Sequence, residues 1–165
     1  MANRLVVIAL GGNALLKRGQ KGTLDEQYEN LRSTTSKIAD LIERGYNIVL
    51  THGNGPQVGA TMIRHEAAKN IVPPFPLDAC GAETQGFIGY LIQQALRNEL
   101  KSRGMNKYVV TVITRVIVDK DDSAFQHPTK PIGPFYSKEE AAKLMKQRPD
   151  LVIKEDAGRG YRRFV

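Results

Sequence analysis

Cysteine is almost missing: the 165 residues hold one, Cys80. A single thiol cannot build a disulfide framework within the chain, and a reducing, cytoplasmic setting is the simplest expectation. Set between Ala79 and Gly81, it reads as a small packing residue rather than a nucleophile. Long apolar runs are missing too. No segment reaches the roughly 18 apolar residues that a bilayer span needs. The apolar stretch behind Arg4 stops at Gly11-Gly12-Asn13, too short for a secretion signal and with no small-residue cleavage site after it. A soluble protein without membrane partners is expected. The histidines, His52, His65 and His127, show no metal-ligand spacing. Asp121-Asp122 reads as a solvated turn, so no protein-bound metal is expected. His52 itself reads as a packed or hydrogen-bonded histidine beside a turn rather than a base. Net charge is +7, from 24 basic against 17 acidic residues. The basic residues are scattered and lack the aromatic interleaving of single-strand binders, so nucleic acid is not the expected partner. The P-loop pattern and the dinucleotide fingerprint G-x-G-x-x-G are both absent.

What is present is a pair of glycine-rich tips. Gly11-Gly12-Asn13 follows Leu5-Val6-Val7-Ile8-Ala9-Leu10, and His52-Gly53-Asn54-Gly55-Pro56-Gln57 follows Ile48-Val49-Leu50. Both apolar runs are short, β-branched and closed by glycine, as buried strands are. One helix separates them. Thr23-Leu24-Asp25-Glu26 matches a capping box; Tyr28, Leu31, Ile38, Leu41 and Ile42 follow at helical spacing, and Gly45 closes the helix. Strand, helix, strand at this spacing predicts a βαβ unit. Two parallel neighbours would then carry both tips on one sheet edge. With no Cβ to block close approach, such an edge suits an anion such as a phosphoryl group. Each tip read alone is equally a tight strand-to-helix turn.

The apolar content of 41% excludes general disorder. A second helix is predicted from Pro56 to about Lys69, broken by Ile71-Val72-Pro73-Pro74-Phe75-Pro76. A third runs from about Ala79 to Arg103 and ends at Gly104. Gly81, Gly86 and Gly89 inside it predict close packing, against a partner helix in the core or across a dimer. Tyr108 to Val118 is strongly β-prone. From Asp119 to Tyr136 the chain is rich in proline and polar groups, without a period, and predicts a shaped, protruding loop of functional kind. Ser137 to Glu140 opens another capped helix that stops before Pro149, and Leu151-Val152-Ile153 reads as a short strand. The close, Gly158 to Val165, looks like the start of a further strand, either cut from a larger protein or docked as an edge strand. Lys130, held between Thr129 and Pro131 in the loop, reads either as an ordinary exposed lysine or as a point charge for a transferring phosphoryl oxygen.

Several motifs resemble one family. Val7 to Leu16, Thr51-His52-Gly53-Asn54-Gly55-Pro56-Gln57-Val58-Gly59, Pro76 to Gly86 with Ile88-Gly89-Tyr90, Pro128 to Tyr136 and Glu155 to Gly160 are similar, in that order, to carbamate kinases of the amino-acid kinase family. The resemblance covers essentially the whole chain. It implies an α/β fold, a three-layer αβα sandwich with a mainly parallel sheet and a protruding subdomain near 119–136, the excursion reaching about residue 155. It also implies reversible phosphoryl transfer between ATP and carbamate, giving ADP and carbamoyl phosphate, with Mg²⁺ accompanying the nucleotide and a homodimeric assembly. By resemblance, Gly11, Gly12 and Asn13 cradle the transferring phosphoryl group, Gly53 and Asn54 bind carbamate or its phosphate, and Lys130 reaches in as the catalytic charge. Family members are considerably longer, and their second half supplies most of the nucleotide pocket. Residues 1–165 therefore correspond to the N-terminal, carbamate-side domain, with little activity expected alone. Two other readings stand beside it: an amino-acid kinase acting on another carboxylate such as an acylated glutamate, and a non-catalytic anion-binding or dimerising fragment.

Overall fold

The computed structural model describes residues 4–17 and 19–165, without the side chains of Asn13 and Pro134. The chain divides into two compact units, one of residues 1–56 with 82–113 and one of residues 57–81 with 114–165. Among the described residues no helix is long and apolar enough to cross a membrane.

The first unit is built on a parallel strand pair, β1 (Leu5–Leu10) and β2 (Asn47–His52), in register from Leu5 opposite Asn47 to Leu10 opposite His52. Between them come the single turn α1 (Gly12–Leu15) and the long helix α2 (Leu24–Glu43). The predicted capping box is present: Glu26 N–H donates to Thr23 Oγ1, and the Glu26 carboxylate accepts from Thr23 N–H at 3.0 Å. Gly45 ends the helix at φ +89°, a left-handed conformation that glycine adopts without penalty. Leu31, Ile38, Ala39 and Ile42 form the buried stripe of α2. They pack with Leu10, Leu15 and the α4 (Leu77–Ser102) residues Ile88, Leu91, Ile92, Ala95, Leu96 and Leu100, with Ile8, Ile48 and Leu50 beneath. Alternation along each strand sends the other set outward, and Leu5, Val7 and Val49 lie exposed on the opposite face. Arg103, just past α4, ties it to α2 through Asp40, Glu43 and the Ser36 carbonyl, while Glu99 of α4 braces the same guanidinium.

The run after α4 departs from expectation. Tyr108 to Val118 forms no strand. A β-prone sequence becomes a strand only when a neighbour accepts its ladder, and the described residues of the first unit offer this run none. Through residue 113 it lies instead along α4: Gln93 Nε2 donates to Thr111 Oγ1, Arg97 Nη1 donates to the Lys107 carbonyl, and the Arg97 guanidinium sits over the Tyr108 ring. This contact also explains a glycine. A Cβ on Gly89 would run into the Thr111 side chain, and one on Gly86 would touch Ile113. The close neighbour expected of these glycines is an extended segment of the same chain, not a helix. Gly81 has open space around it.

The second unit takes up most of α3 (Gly55–Ala68), the first turn of α4, and a three-stranded antiparallel sheet with α5 (Lys138–Gln147) against it. Ser137 and Glu140 form the second predicted capping box. The strands are β3 (Pro131–Tyr136), β4 (Val152–Glu155) and β5 (Tyr161–Phe164), in the order β3-β5-β4. Two expectations change here. The loop predicted over 119–136 ends in β3; its prolines sit on an edge strand, where a missing N–H breaks no ladder, and the register shifts between Ile132 and Tyr136 around Gly133 at φ +75°. Before it, Ser123–Phe125 makes one 3-10 turn capped by Asp122. The last strand is not an edge either: β5 is the centre of its sheet and pairs on both sides.

Candidate functional site

Both tips leave the same end of the β1–β2 pair. The strands are parallel and in register, so Leu10 and His52 end side by side, and Gly53 N–H donates to the Leu10 carbonyl at 3.3 Å. One ladder bond therefore fastens the roots of the two tips together. Gly53 spends its own amide on that bond. The donors left to face outward come from the first turns of the helices that follow, whose initial N–H groups have no intrahelical partner. At the first tip, Gly11 caps α1 and Gly12 begins it. Asn13 lies within that turn; its side chain is outside the described residues. At the second tip, Asn54 stands immediately before α3.

The glycines of the tips are not demanded by the chain itself. Gly11, Gly12, Gly53 and Gly55 all avoid positive φ, and a Cβ built on any of them meets nothing within 4 Å. Gly45 by contrast answers a turn and Gly89 a tight contact, while Gly59 and Gly81 within their helices answer neither. At the tips glycine leaves space open beside main-chain amides, which is the condition for a guest to approach the backbone.

Neighbouring side chains hold both tips in place. Asn30, buried on α2, donates through Nδ2 to the Leu15 carbonyl and to Gln20 Oε1, fixing the exit of α1. Asn54 is half-buried, and its Nδ2 donates to Thr84 Oγ1 of α4 at 2.8 Å. His52 Nδ1 donates to the Gly53 carbonyl at 3.2 Å, the hydrogen-bonded role expected of it. Neither Asn30 nor Thr84 stands out in the sequence as a site residue. Asn30 lies on a helix face like any polar residue. Thr84 falls inside a motif whose helical placement is clear but whose contact with residue 54 depends on the fold.

Lys130 lies in the second unit, at the foot of β3. Its main chain is held from both sides, since Lys130 N–H donates to the Val165 carbonyl and Val165 N–H donates to the Lys130 carbonyl at 3.0 Å. Its side chain is exposed, and the ammonium makes no hydrogen bond or ion pair among the described residues. The segment before it is pinned as well: Lys154 Nζ donates to the carbonyl of the buried Pro128 and lies over the Phe164 ring. The result is a fixed backbone with a free cation. Asp156 supports the same sheet. It accepts from Arg159 and Arg162, while Arg162 also donates to the Gly133 carbonyl and stacks on Phe135. Burial raises the Asp156 pKa, but the hydrogen bonds and charge of the two arginines outweigh it and hold the carboxyl below its ordinary range.

Cys80 is buried and donates weakly to the Phe75 carbonyl, in keeping with a packing role. His65 accepts from Phe75 N–H and stacks on the Phe75 ring. Both side chains brace the proline-rich break between α3 and α4.

The chain is similar to known proteins along nearly its whole length. The family model described as the amino acid kinase family matches residues 4–158. The carbamate kinase of Pyrococcus horikoshii is 60% identical over 162 residues, which is 97% of this chain and 51% of that protein. The carbamate kinase of Pyrococcus furiosus is 56% identical over the same span. Among solved structures, a carbamate kinase from Giardia lamblia bound to AMP-PNP superimposes with a TM-score of 0.92 at 46% identity, covering 99% of this chain and 52% of that one. The chain thus spans about half the length of the curated relatives it matches. With the family model matched almost end to end and solved relatives sharing its fold, the chain belongs to the amino acid kinase family, an α/β fold with a parallel sheet.

Proposed function

We propose that this chain carries the carbamate-side half of a carbamate kinase site. The observation that carries the reading is the common edge of the tips: two Cβ-free corners are fastened at their roots by the Gly53–Leu10 bond, each with open space beside it, and such a pair suits an oxyanion. The relatives favour carbamate over another carboxylate as the acceptor.

In this reading Gly11, Gly12 and Asn13 cradle the transferring phosphoryl group. Gly53 and Asn54 bind carbamate or its phosphate, Gly53 as the open corner and Asn54 through its side-chain amide. Lys130 supplies the mobile positive charge. The bond between phosphorus and the carbamoyl oxygen breaks as a bond to a terminal oxygen of ADP forms, giving carbamate and ATP; the reverse run makes carbamoyl phosphate. The transferred group spreads charge over its equatorial oxygens, so donors aimed at those oxygens and an in-line approach supply most of the acceleration. The tips offer N–H donors rather than oxygen ligands, so they fit the phosphoryl group and not a bare divalent cation. Mg²⁺, bound with the nucleotide, would neutralise phosphate charge. Most of the nucleotide pocket belongs to the part of the relatives beyond this chain's span, and the isolated chain turns over little. The reading carries with it a homodimer in a cytoplasmic setting, and the first of these is checked by sedimentation.

The test is a chimera in which this chain is followed by the second half of the Pyrococcus horikoshii relative, assayed for ATP made from carbamoyl phosphate and ADP. Turnover that falls when Gly12 or Lys130 is replaced supports the reading. A folded chimera that phosphorylates an acylated glutamate instead would move the protein to another acceptor class. A folded chimera with no turnover on either would leave an anion-binding fragment.

A further inference from the structure

We propose that Thr84 is a positioning residue for the site: its hydroxyl sets which end of the Asn54 amide faces the bound oxyanion. The inference rests on the anion-site reading above and names a residue that reading does not use.

A carboxamide has two opposite ends. Its oxygen repels an oxyanion and its NH₂ donates to one, yet the two ends are nearly equal in size, so packing alone selects poorly between them. At the second tip the selection is made by a hydrogen bond. Asn54 Nδ2 donates to Thr84 Oγ1 at 2.8 Å, and Thr84 is only 2% exposed. With one amide proton committed there, the second stays on the same nitrogen and Oδ1 is turned to the other side. A helical threonine hydroxyl ordinarily sends its own proton to the carbonyl of the preceding turn, which leaves its lone pairs as acceptors. It therefore accepts from NH₂ and discriminates against the flipped amide.

Thr84 is not explained by its helix. A β-branched residue is a weaker helix former than alanine or leucine, and a hydroxyl buried this deeply must be hydrogen-bonded to avoid a desolvation cost. On α4 the hydroxyl is a buried acceptor for the Asn54 amide at the tip. A donor already oriented before the ligand arrives costs no reorganisation when it binds.

The test uses the ¹⁵N-labelled 165-residue chain titrated with inorganic phosphate. The readouts are the backbone amides of Gly11 and Gly12 and the side-chain NH₂ of Asn54. Thr84→Val keeps the shape and removes the acceptor; Thr84→Ser keeps the hydroxyl. Thr84→Val is expected to weaken phosphate binding about 5- to 10-fold, the scale of one hydrogen bond, and to shift and broaden the Asn54 side-chain NH₂ resonances as the amide samples both orientations. Thr84→Ser is expected to bind like the unaltered chain. In an Asn54→Ala background, Thr84→Val should have no further effect, because the group it orients is gone. If Thr84→Val does not fold, Thr84→Ala, which also lacks the acceptor and is smaller, gives the same reading. Unchanged binding in Thr84→Val or Thr84→Ala overturns the assignment. So does a serine variant as weak as valine, or a full additive loss in the Asn54→Ala background. An unaltered chain whose Gly11 and Gly12 amides ignore phosphate defeats the anion-site reading itself, and Thr84 falls with it.

Discussion

The Gly53 amide donates to the Leu10 carbonyl at 3.3 Å, so the last ladder bond of the parallel pair also joins the two glycine tips. This bond makes the separation of the tips a property of the sheet. Strand register is held by every buried side chain beneath it, from Ile8 and Leu10 to Ile48 and Leu50. The spacing of the corners is therefore as rigid as the core, even though the corners are open.

That openness gives a first prediction. Gly12→Ala and Gly53→Ala should leave the unfolding midpoint unchanged or slightly raised, by up to about 1 kcal/mol for Gly12 at the start of a helix. The added methyl meets nothing in the chain. The same variants should weaken phosphate binding, read by amide shifts. A variant that unfolds the chain, or one that binds phosphate as before, would remove the glycine from the site.

Lys130→Ala separates placement from charge. The ammonium has no partner among the described residues, and the Lys130 main chain is held by Val165 whatever the side chain. Thermal stability of the 165-residue chain should not move. In the chimera, kcat should drop by roughly 10²-fold or more, the cost of losing one charge-stabilising donor. An unchanged kcat takes Lys130 out of the mechanism.

The glycines of α4 should answer differently to the same substitution. Gly89→Ala drives a methyl into Thr111 and should destabilise by about 1–3 kcal/mol, as overpacking does. Gly81→Ala meets open space and should be neutral or stabilising by up to about 1 kcal/mol. Denaturant unfolding of both variants decides the matter. Equal effects would mean that the 105–113 segment does not lie on α4 as described.

Acid should loosen the three-stranded sheet. Asp156 is held below its ordinary range in the folded chain, so the unfolded chain binds protons more readily than the folded one as pH falls. The stabilisation is complete above the unfolded carboxylate pKa of about 3.9 and is lost as pH falls through the lower folded value. Glu26 and Glu140, lowered chiefly by the N–H groups of their capping boxes, act in the same sense. Asp156→Asn should lower stability at neutral pH and flatten this acid limb. An acid limb of unchanged slope in that variant would assign the dependence elsewhere.

Local signals carried most of the fold into the sequence. Thr23 and Glu26, and Ser137 and Glu140, mark helix starts because a capping box is made by residues three apart. The common edge of the tips was also legible, since a short βαβ unit puts successive strands parallel and adjacent. What failed were pairings over distance. Pro131 and Pro134 hid β3, because only an edge position makes proline harmless and edge position is a property of the assembled sheet. Tyr108 to Val118 looked like a strand because side-chain preference is visible where a partner is not. Within the candidate site the glycines were readable and Thr84 was not, because it meets Asn54 across thirty residues of chain.

The central place of β5 has a consequence for how the molecule comes into being. Lys130 emerges from the ribosome well before Val165, the residue that clamps its backbone, and before the strand that zips β3 to β4. Until that late segment arrives, the cation hangs on an unanchored tether. The glycine corners, whose two strands are both made by residue 53, can already stand finished while the arm that carries the charge is still being tied down.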